Sequence, residues 1–280
     1  MVEVSFITFT RNSAHRLRGL LEHVKDVVDE IIVVDGYSTD GTVDVARSYG
    51  ARVYQRRPWG FVEPDRMFAL KQASYDWILY LDDDDERLSS KLKKDLKSLI
   101  DYAESNDICA FSTMSVNLTP QGKLILGLFY PCRQIRIFKK DRASYRGIIH
   151  ELPQIRGKIL ALPNEYYILH LGIKIWSKKH ARYVRIQALQ YFKFNHFGKT
   201  RRALWHLLPI SSIPYYFYLL YAYMLRKKIP FNFEGLRYTL LFVLYDSLLS
   251  TLMKMRSKRQ KELAKLISEK GFIQLLNHYI

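Results

Sequence analysis

At 280 residues with 48% hydrophobic side chains, the chain is long enough for one large domain, or one domain plus an appendage, around a real core. Its two cysteines, Cys109 and Cys132, form no CxxC or metal-spaced cluster, which excludes a cysteine-built metal site and fits reduced packing residues in an intracellular protein. The net charge of +17 is uneven: residues 171–280 hold 20 Lys and Arg against four acids, a net of +16, so this part is expected to meet an anionic surface, lipid or nucleic acid.

The opening residues, Met1-Val2-Glu3-Val4-Ser5-Phe6, enter a strand at once, with no basic or long apolar leader, so no signal peptide is expected. Val4 to Phe9 is the first strand. Asn12 or Ser13 then caps a helix in which Leu17, Leu20, Leu21, Val24, Val27 and Val28 recur at helical spacing. Glu30 to Asp35 is a second buried strand ending in an acid. Gly36-Tyr37-Ser38-Thr39-Asp40-Gly41-Thr42 is turn and capping chemistry, opening a short helix to about Tyr49. Ala51 to Gln55 is a third strand, and Pro64-Asp65 starts a helix containing Ala69, Leu70 and Ala73.

Trp77-Ile78-Leu79-Tyr80-Leu81 then runs straight into Asp82-Asp83-Asp84-Asp85-Glu86. The apolar half reads as a buried parallel strand. Its acids fall at the strand's C-terminal end, where open α/β sheets bind ligands. Five adjacent carboxylates repel one another, and a divalent cation with a taste for hard oxygen ligands, Mg²⁺ or Mn²⁺, resolves this; a solvated acidic loop is the alternative. A Ser89-capped helix follows, with Leu92, Leu96, Leu99, Ile100 and Ala103 on one face.

This strand–helix alternation predicts a parallel, doubly wound sheet over the first ~110 residues, with Thr8, Asp35 and Asp82 converging at one edge. No GxGxxG or P-loop pattern occurs. From Cys109 the pattern changes: Ala110 to Asn117, Arg133 to Lys139 and Tyr166 to His170 are strand-like, and this section is expected to extend the sheet and form the acceptor side of a cleft.

Thr8-Phe9-Thr10-Arg11-Asn12, Val34-Asp35-Gly36-Tyr37-Ser38-Thr39-Asp40-Gly41-Thr42 and the acidic strand end stand in the order and spacing of family-two glycosyltransferases, which the chain resembles over roughly residues 3–172. Trp59-Gly60-Phe61 with Arg66-Met67-Phe68-Ala69-Leu70 is similar to the branch that contains lipopolysaccharide-core glucosyltransferases. The resemblance implies an α/β GT-A fold, a Rossmann-like, mostly parallel sheet flanked by helices, and a UDP- or GDP-sugar donor. It implies that Thr8, Thr10 and Asp35 hold the base and ribose, with Asp40 nearby, and that Arg66 contacts the diphosphate. Alignment on Leu81 makes Asp82 and Asp84 the DXD pair, Asp84 nearest a Mn²⁺ or Mg²⁺ ion; alignment on Glu86-Arg87 gives Asp83 and Asp85 instead, which keeps Asp83 among the donor contacts. His150-Glu151 resembles the family's His-Glu pair, so Glu151 is the expected general base for a hydroxyl acceptor, and His170 a metal or diphosphate contact. A lipid phosphate acceptor is already anionic and needs no base.

Trp176 to Phe197 reads as a basic helix. Ala203 to Leu225 is a run of 23 residues without Lys, Arg, Asp or Glu, and Tyr238 to Met253 is a second, shorter apolar run, each followed by a basic cluster. Pro209 and Pro214 argue against a simple span. Aromatics between apolar and basic residues suit helices lying in one leaflet on an anionic membrane; packing against the catalytic domain and a true span stay open. The expected organisation is a catalytic domain over 1–172, with a nucleotide-sugar half to about 110 and an acceptor half beyond, then a helical membrane-associating region over 173–280. The expected place is cytoplasmic, peripheral (monotopic) on the inner face of the cell membrane.

The leading reading is a metal-dependent, inverting transfer of sugar to a lipid-linked or membrane-proximal glycan. A sugar nucleotidyltransferase would want a Gly-rich loop after the first strand, where Thr10-Arg11-Asn12-Ser13 has no glycine. A nucleic-acid-binding tail is disfavoured by the long uncharged runs, so no nucleic acid is expected as partner.

Overall fold

The computed structural model describes residues 2–83, 86–126, 132–148, 151–171 and 232–239. It divides into two compact units, Met1–Pro58 with Val62–Leu124 and Tyr130–Ile173, and Trp59–Phe61 with Ile125–Phe129 and Lys174–Ile280. The expected membrane-associating region over 173–280 lies outside the described residues except for 232–239.

In chain order the first unit runs β1 (Val4–Thr10), α1 (Ala14–Val24), β2 (Glu30–Asp35), α2 (Thr42–Ser48), β3 (Arg52–Gln55), α3 (Glu63–Gln72), β4 (Trp77–Tyr80), β5 (Glu86–Leu88) and α4 (Ser90–Ser105). It continues with β6 (Ile108–Asn117), β7 (Cys132–Lys139), β8 (Ala143–Ser144), β9 (Gln154–Ile155), β10 (Lys158–Ala161) and β11 (Tyr167–His170). The large sheet has the order β3-β2-β1-β4-β7-β6-β11-β5, with β10 on β6.

The strands β3, β2, β1 and β4 pair in parallel, as the strand–helix alternation predicts. Side chains alternate across β1. Val4 and Phe6 meet Leu17, Leu20 and Leu21 of α1 and the apolar stripe of α4, while Ile7 and Phe9 meet Ala69 and Leu70 of α3 on the other face. Ser89 caps α4 as expected, accepting from Leu92 N at 3.1 Å. Neither Asn12 nor Ser13 caps α1 in that way. Ser13 Oγ accepts from Arg16 Nη2 (2.6 Å), and the Ala14 amide instead donates to Asp40 Oδ2 at 3.3 Å.

Past β4 the sheet becomes mixed. β7 enters antiparallel between β4 and β6, and β5, which the sequence reads as the end of an acidic loop, pairs antiparallel with β11. Trp77 stacks on Phe111 with ring centroids 5.7 Å apart, locking β4 to β6 through the core. In the second unit, residues 233–239 are helical, and Asn232 Oδ1 accepts from Leu126 N and Gly235 N at 3.2 and 2.9 Å. A Cβ at Gly235 would overlap the Leu126 carbonyl, so only glycine fits there. Among the described residues no helix is long and apolar enough to cross a membrane.

Candidate active site

The parallel strands deliver their C-terminal ends to one edge. Thr10 is the register partner of Asp35, and Ile7 that of Tyr80, which puts the loops after β1, β2 and β4 side by side. Thr10 Oγ1 donates to Asp83 Oδ2 at 2.7 Å, and Arg16 Nε donates to the Asp83 carbonyl at 3.3 Å. Asp35 is fully buried, accepting from Ser38 N (2.9 Å), Gln55 Nε2 (3.2 Å) and the Ser38 hydroxyl. Asp40 ties two helix starts together, accepting from Ala14 N of α1 and, at 3.0 Å, from Thr42 N of α2. The Thr42 hydroxyl is the main cause that holds the Asp40 carboxyl below its usual value.

Thr8 departs from the expected donor contact. Strand alternation puts it on the same face as Val4 and Phe6, fully buried, with its hydroxyl unpartnered among the described residues.

Around Asp82 the structure assembles a charge network. Arg136 Nη2 donates to Asp82 Oδ2 at 2.9 Å and to Glu86 Oε1 at 2.6 Å. The Tyr80 hydroxyl donates to Asp82 Oδ1, and Asp82 N donates to Glu86 Oε2 at 2.8 Å, closing the acidic loop on itself. The Arg136 guanidinium also lies 4.6 Å from the centroid of the Tyr80 ring. Phe111 pairs with Ile137 but the next residue, Ser112, pairs with Ile135, so Arg136 is the extra residue of a β-bulge, which aims it at the acids. Burial alone would lower its pKa, but Glu86, Asp82 and Tyr80 together hold it well above the ordinary arginine value. Burial, with Asp82 adding to it, pushes the Tyr80 phenol well up.

Arg66 of α3 is another cation largely shielded from solvent, its side chain 11% exposed. It lies 4.8 Å from the Tyr80 ring and 5.1 Å from the Tyr145 ring, with Glu63 at 3.9 Å. A small recess beside it is lined by Ile7, Phe9, Leu70, Ile78 and Phe138. Its Nε is buried without a partner among the described residues.

Glu151 is buried and fully engaged. Oε2 accepts from three backbone amides, Arg146 (2.7 Å), Gly147 (2.9 Å) and Ile148 (3.2 Å). Among the described residues Oε1 meets side chains, Arg146 Nε at 3.2 Å and Gln154 Nε2 at 3.4 Å. His170 ends β11 as the register partner of Glu86, which sets it beside the acidic loop.

Asp84, Asp85 and His150 lie outside the described residues. Among the described residues no three His, Cys, Asp or Glu side chains have metal-ligand spacing. The sequence argument that crowded acids need a cation is answered in part by protein: Arg136 compensates Asp82 and Glu86. Sequence reasoning missed Arg136, Tyr80 and Tyr145. The signal for the first was a single cation inside the apolar run Ile135-Arg136-Ile137-Phe138.

Comparison with known proteins bears on this edge-of-sheet site. The chain is 26% identical over 258 residues to an uncharacterized glycosyltransferase of Rickettsia typhi, covering 86% of this chain and 83% of that one. It is 31% identical over 180 residues to an uncharacterized glycosyltransferase of Rickettsia bellii, covering 60% and 58%. The solved structure of S. aureus TarS 1-349 in complex with UDP covers 92% of each chain at 16% identity, with a TM-score of 0.45. Residues 5–151, more than half of the chain, match the family model described as Glycosyl transferase family 2, and the chain belongs to that family.

Proposed function

We propose that this glycosyltransferase moves a sugar, with inversion, from a nucleotide-diphosphate sugar to a lipid-linked or membrane-proximal glycan, in the manner of the lipopolysaccharide-core branch. The observation that carries the reading is the convergence of Thr10, Asp35, Asp82 and Asp83 at one sheet edge, with the largely shielded Arg66 close to Asp82. Asp35 and the loop after β1 take the nucleoside side. Asp82, held by Tyr80 and Arg136, is an oriented acceptor for a donor hydroxyl. Breaking the sugar–diphosphate bond adds negative charge to the leaving phosphate, and Arg66 stands ready to meet it.

A divalent cation, Mn²⁺ or Mg²⁺, would add Lewis-acid stabilisation of the same leaving group. The described acids do not by themselves complete its ligand set, since among the described residues no three His, Cys, Asp or Glu side chains have metal-ligand spacing. The role falls by family resemblance to Asp84, with His170 beside the loop, and no step here depends on it.

For a hydroxyl acceptor, Glu151 takes the proton through Oε1, which side chains hold among the described residues, while Oε2 stays anchored by backbone. The same clasp favours a second reading, transfer to a polyprenyl or dolichyl phosphate, whose oxygen is already anionic. Membrane placement rests on the basic and apolar runs beyond residue 171. Binding to anionic vesicles but not to RNA or DNA at physiological salt tests it.

The direct test of the donor site is a thermal-shift panel of UDP, GDP and their sugars with and without Mn²⁺. A ligand at a hundred times its Kd adds ~2.7 kcal/mol. A shift with one nucleotide names the base; no shift with any of them overturns the proposal.

A further inference from the structure

Three residues other than glycine have positive φ: Asn12 (49°), Tyr37 (54°) and Asp107 (52°) among the described residues. Asn and Asp tolerate the left-handed region; a bulky aromatic there is an outlier. Tyr37 is held in it from both sides. Gly36 N donates to the Thr10 carbonyl at 2.9 Å, Ser38 N to Asp35 Oδ2 at 2.9 Å, and Thr39 N to Asn12 Oδ1 at 2.8 Å. The backbone is fixed on either flank, so the strain at Tyr37 is imposed by its surroundings.

The ring gains nothing visible in return. Tyr37 is 56% exposed and makes no hydrogen bond, ring contact or cation contact among the described residues. A residue kept in a strained conformation and left open to solvent, two positions past the buried Asp35, suits a ligand better than the fold. Beside it, Arg11 lays its side-chain stem on Gly36: a Cβ there would meet Arg11 Cδ, Cβ and Cγ at 3.2, 3.3 and 3.4 Å. The glycine thus gives the arginine room next to the aromatic. Arg11 follows β1, the direct neighbour of β4, and Tyr37 follows β2, two strand spacings or about 10 Å from the acids that follow β4. That spacing suits a nucleoside whose diphosphate reaches Asp82 and Arg66.

Building on the nucleotide-sugar reading, we propose that Tyr37, with Arg11 beside it, is the stacking platform for the donor's nucleobase and a determinant of nucleotide affinity. An aromatic ring and a guanidinium plane both stack on the π-face of a base, without need of a hydrogen-bond code.

The test compares Tyr37→Gly and Tyr37→Phe with the full chain, titrating UDP, GDP and inorganic pyrophosphate. Glycine relieves the strain, so that variant keeps the fold, and its unliganded melting temperature is expected to equal or exceed that of the parent. Its affinity for the nucleotide that binds the parent is expected to fall about 5- to 100-fold, the range for loss of one stacked base, with pyrophosphate binding unchanged. Tyr37→Phe is expected to bind like the parent. Nucleotide affinity within twofold of the parent in Tyr37→Gly overturns the proposal, as does an equal loss of pyrophosphate, or a Phe variant as weak as the Gly variant. A parent chain that binds neither UDP nor GDP overturns the donor reading itself, before any variant is compared.

Discussion

Arg136 reaches Asp82 across 54 residues of sequence, its Nη2 lying 2.9 Å from the Asp82 carboxylate and 2.6 Å from that of Glu86. One guanidinium therefore compensates two acids that crowding alone would set against each other. Because Tyr80 and the Asp82 amide complete the ring of bonds, the acid that follows β4 is oriented by the protein itself.

Replacing Arg136 by Met takes the guanidinium away from the buried Glu86 and the partly exposed Asp82. Breaking a buried pair from one side costs about 3–5 kcal/mol, so the urea midpoint is expected to fall steeply and transfer to be lost. Arg136→Lys keeps the charge but not the forked geometry, and is expected to lose less stability. An unshifted midpoint in the Met variant would show that the acids are compensated elsewhere.

His23 makes stability depend on pH. Its Nε2 accepts from Leu88 N at 3.1 Å, and burial, with Lys93 and Arg87 adding to it, brings the imidazole from 6.5 down to about 4. The unfolded chain thus takes a proton that the folded chain refuses. The stabilisation is whole above pH 6.5 and drains away as pH falls from 6.5 to about 4. Discounted for a half-exposed ring, its size is about 1–2 kcal/mol. His23→Gln is expected to flatten the stability–pH slope in that window, read from urea midpoints at pH 7 and pH 4.5 against the parent.

Glu151→Ala removes the acceptor of three backbone amides and should destabilise by about 1–3 kcal/mol. Glu151→Gln separates clasp from base. A fall of about 10²–10⁴ in turnover on a hydroxyl acceptor, with a nearly unchanged melting temperature, identifies the base. Undiminished turnover in the same variant assigns the residue to holding the 146–151 loop and points to an acceptor phosphate.

The parallel core was plain in the chain because strands and helices alternate over short connections and because the apolar runs Ile31-Ile32-Val33-Val34 and Trp77-Ile78-Leu79-Tyr80-Leu81 lead into Asp35 and Asp82, local facts that pattern and periodicity report. The same alternation could have shown that Thr8 follows Val4 and Phe6 inward. Pairing was harder to see. Nothing near Arg87 announces that β5 joins β11, since that bond depends on residues some eighty positions on. Arg136 escaped for a related reason: its neighbour in space is set by a bulge, and a bulge is a mismatch between two strands that neither strand carries alone.

The antiparallel insertion of β7 beside β4 also sets an order in time. β4 takes its second partner from residues 137–139. A chain growing from its N-terminus displays Asp82 long before Arg136 exists to meet it, and closing that long loop is slow compared with forming the local βα units. The donor half therefore has the means to take shape first, while the acidic end waits, charged and unmatched, for the returning hairpin. Docking of β7 on β4 and arrival of Arg136 at Asp82 are then one event, so a nascent or truncated chain that stops short of β7 holds the parallel strands without that charge network.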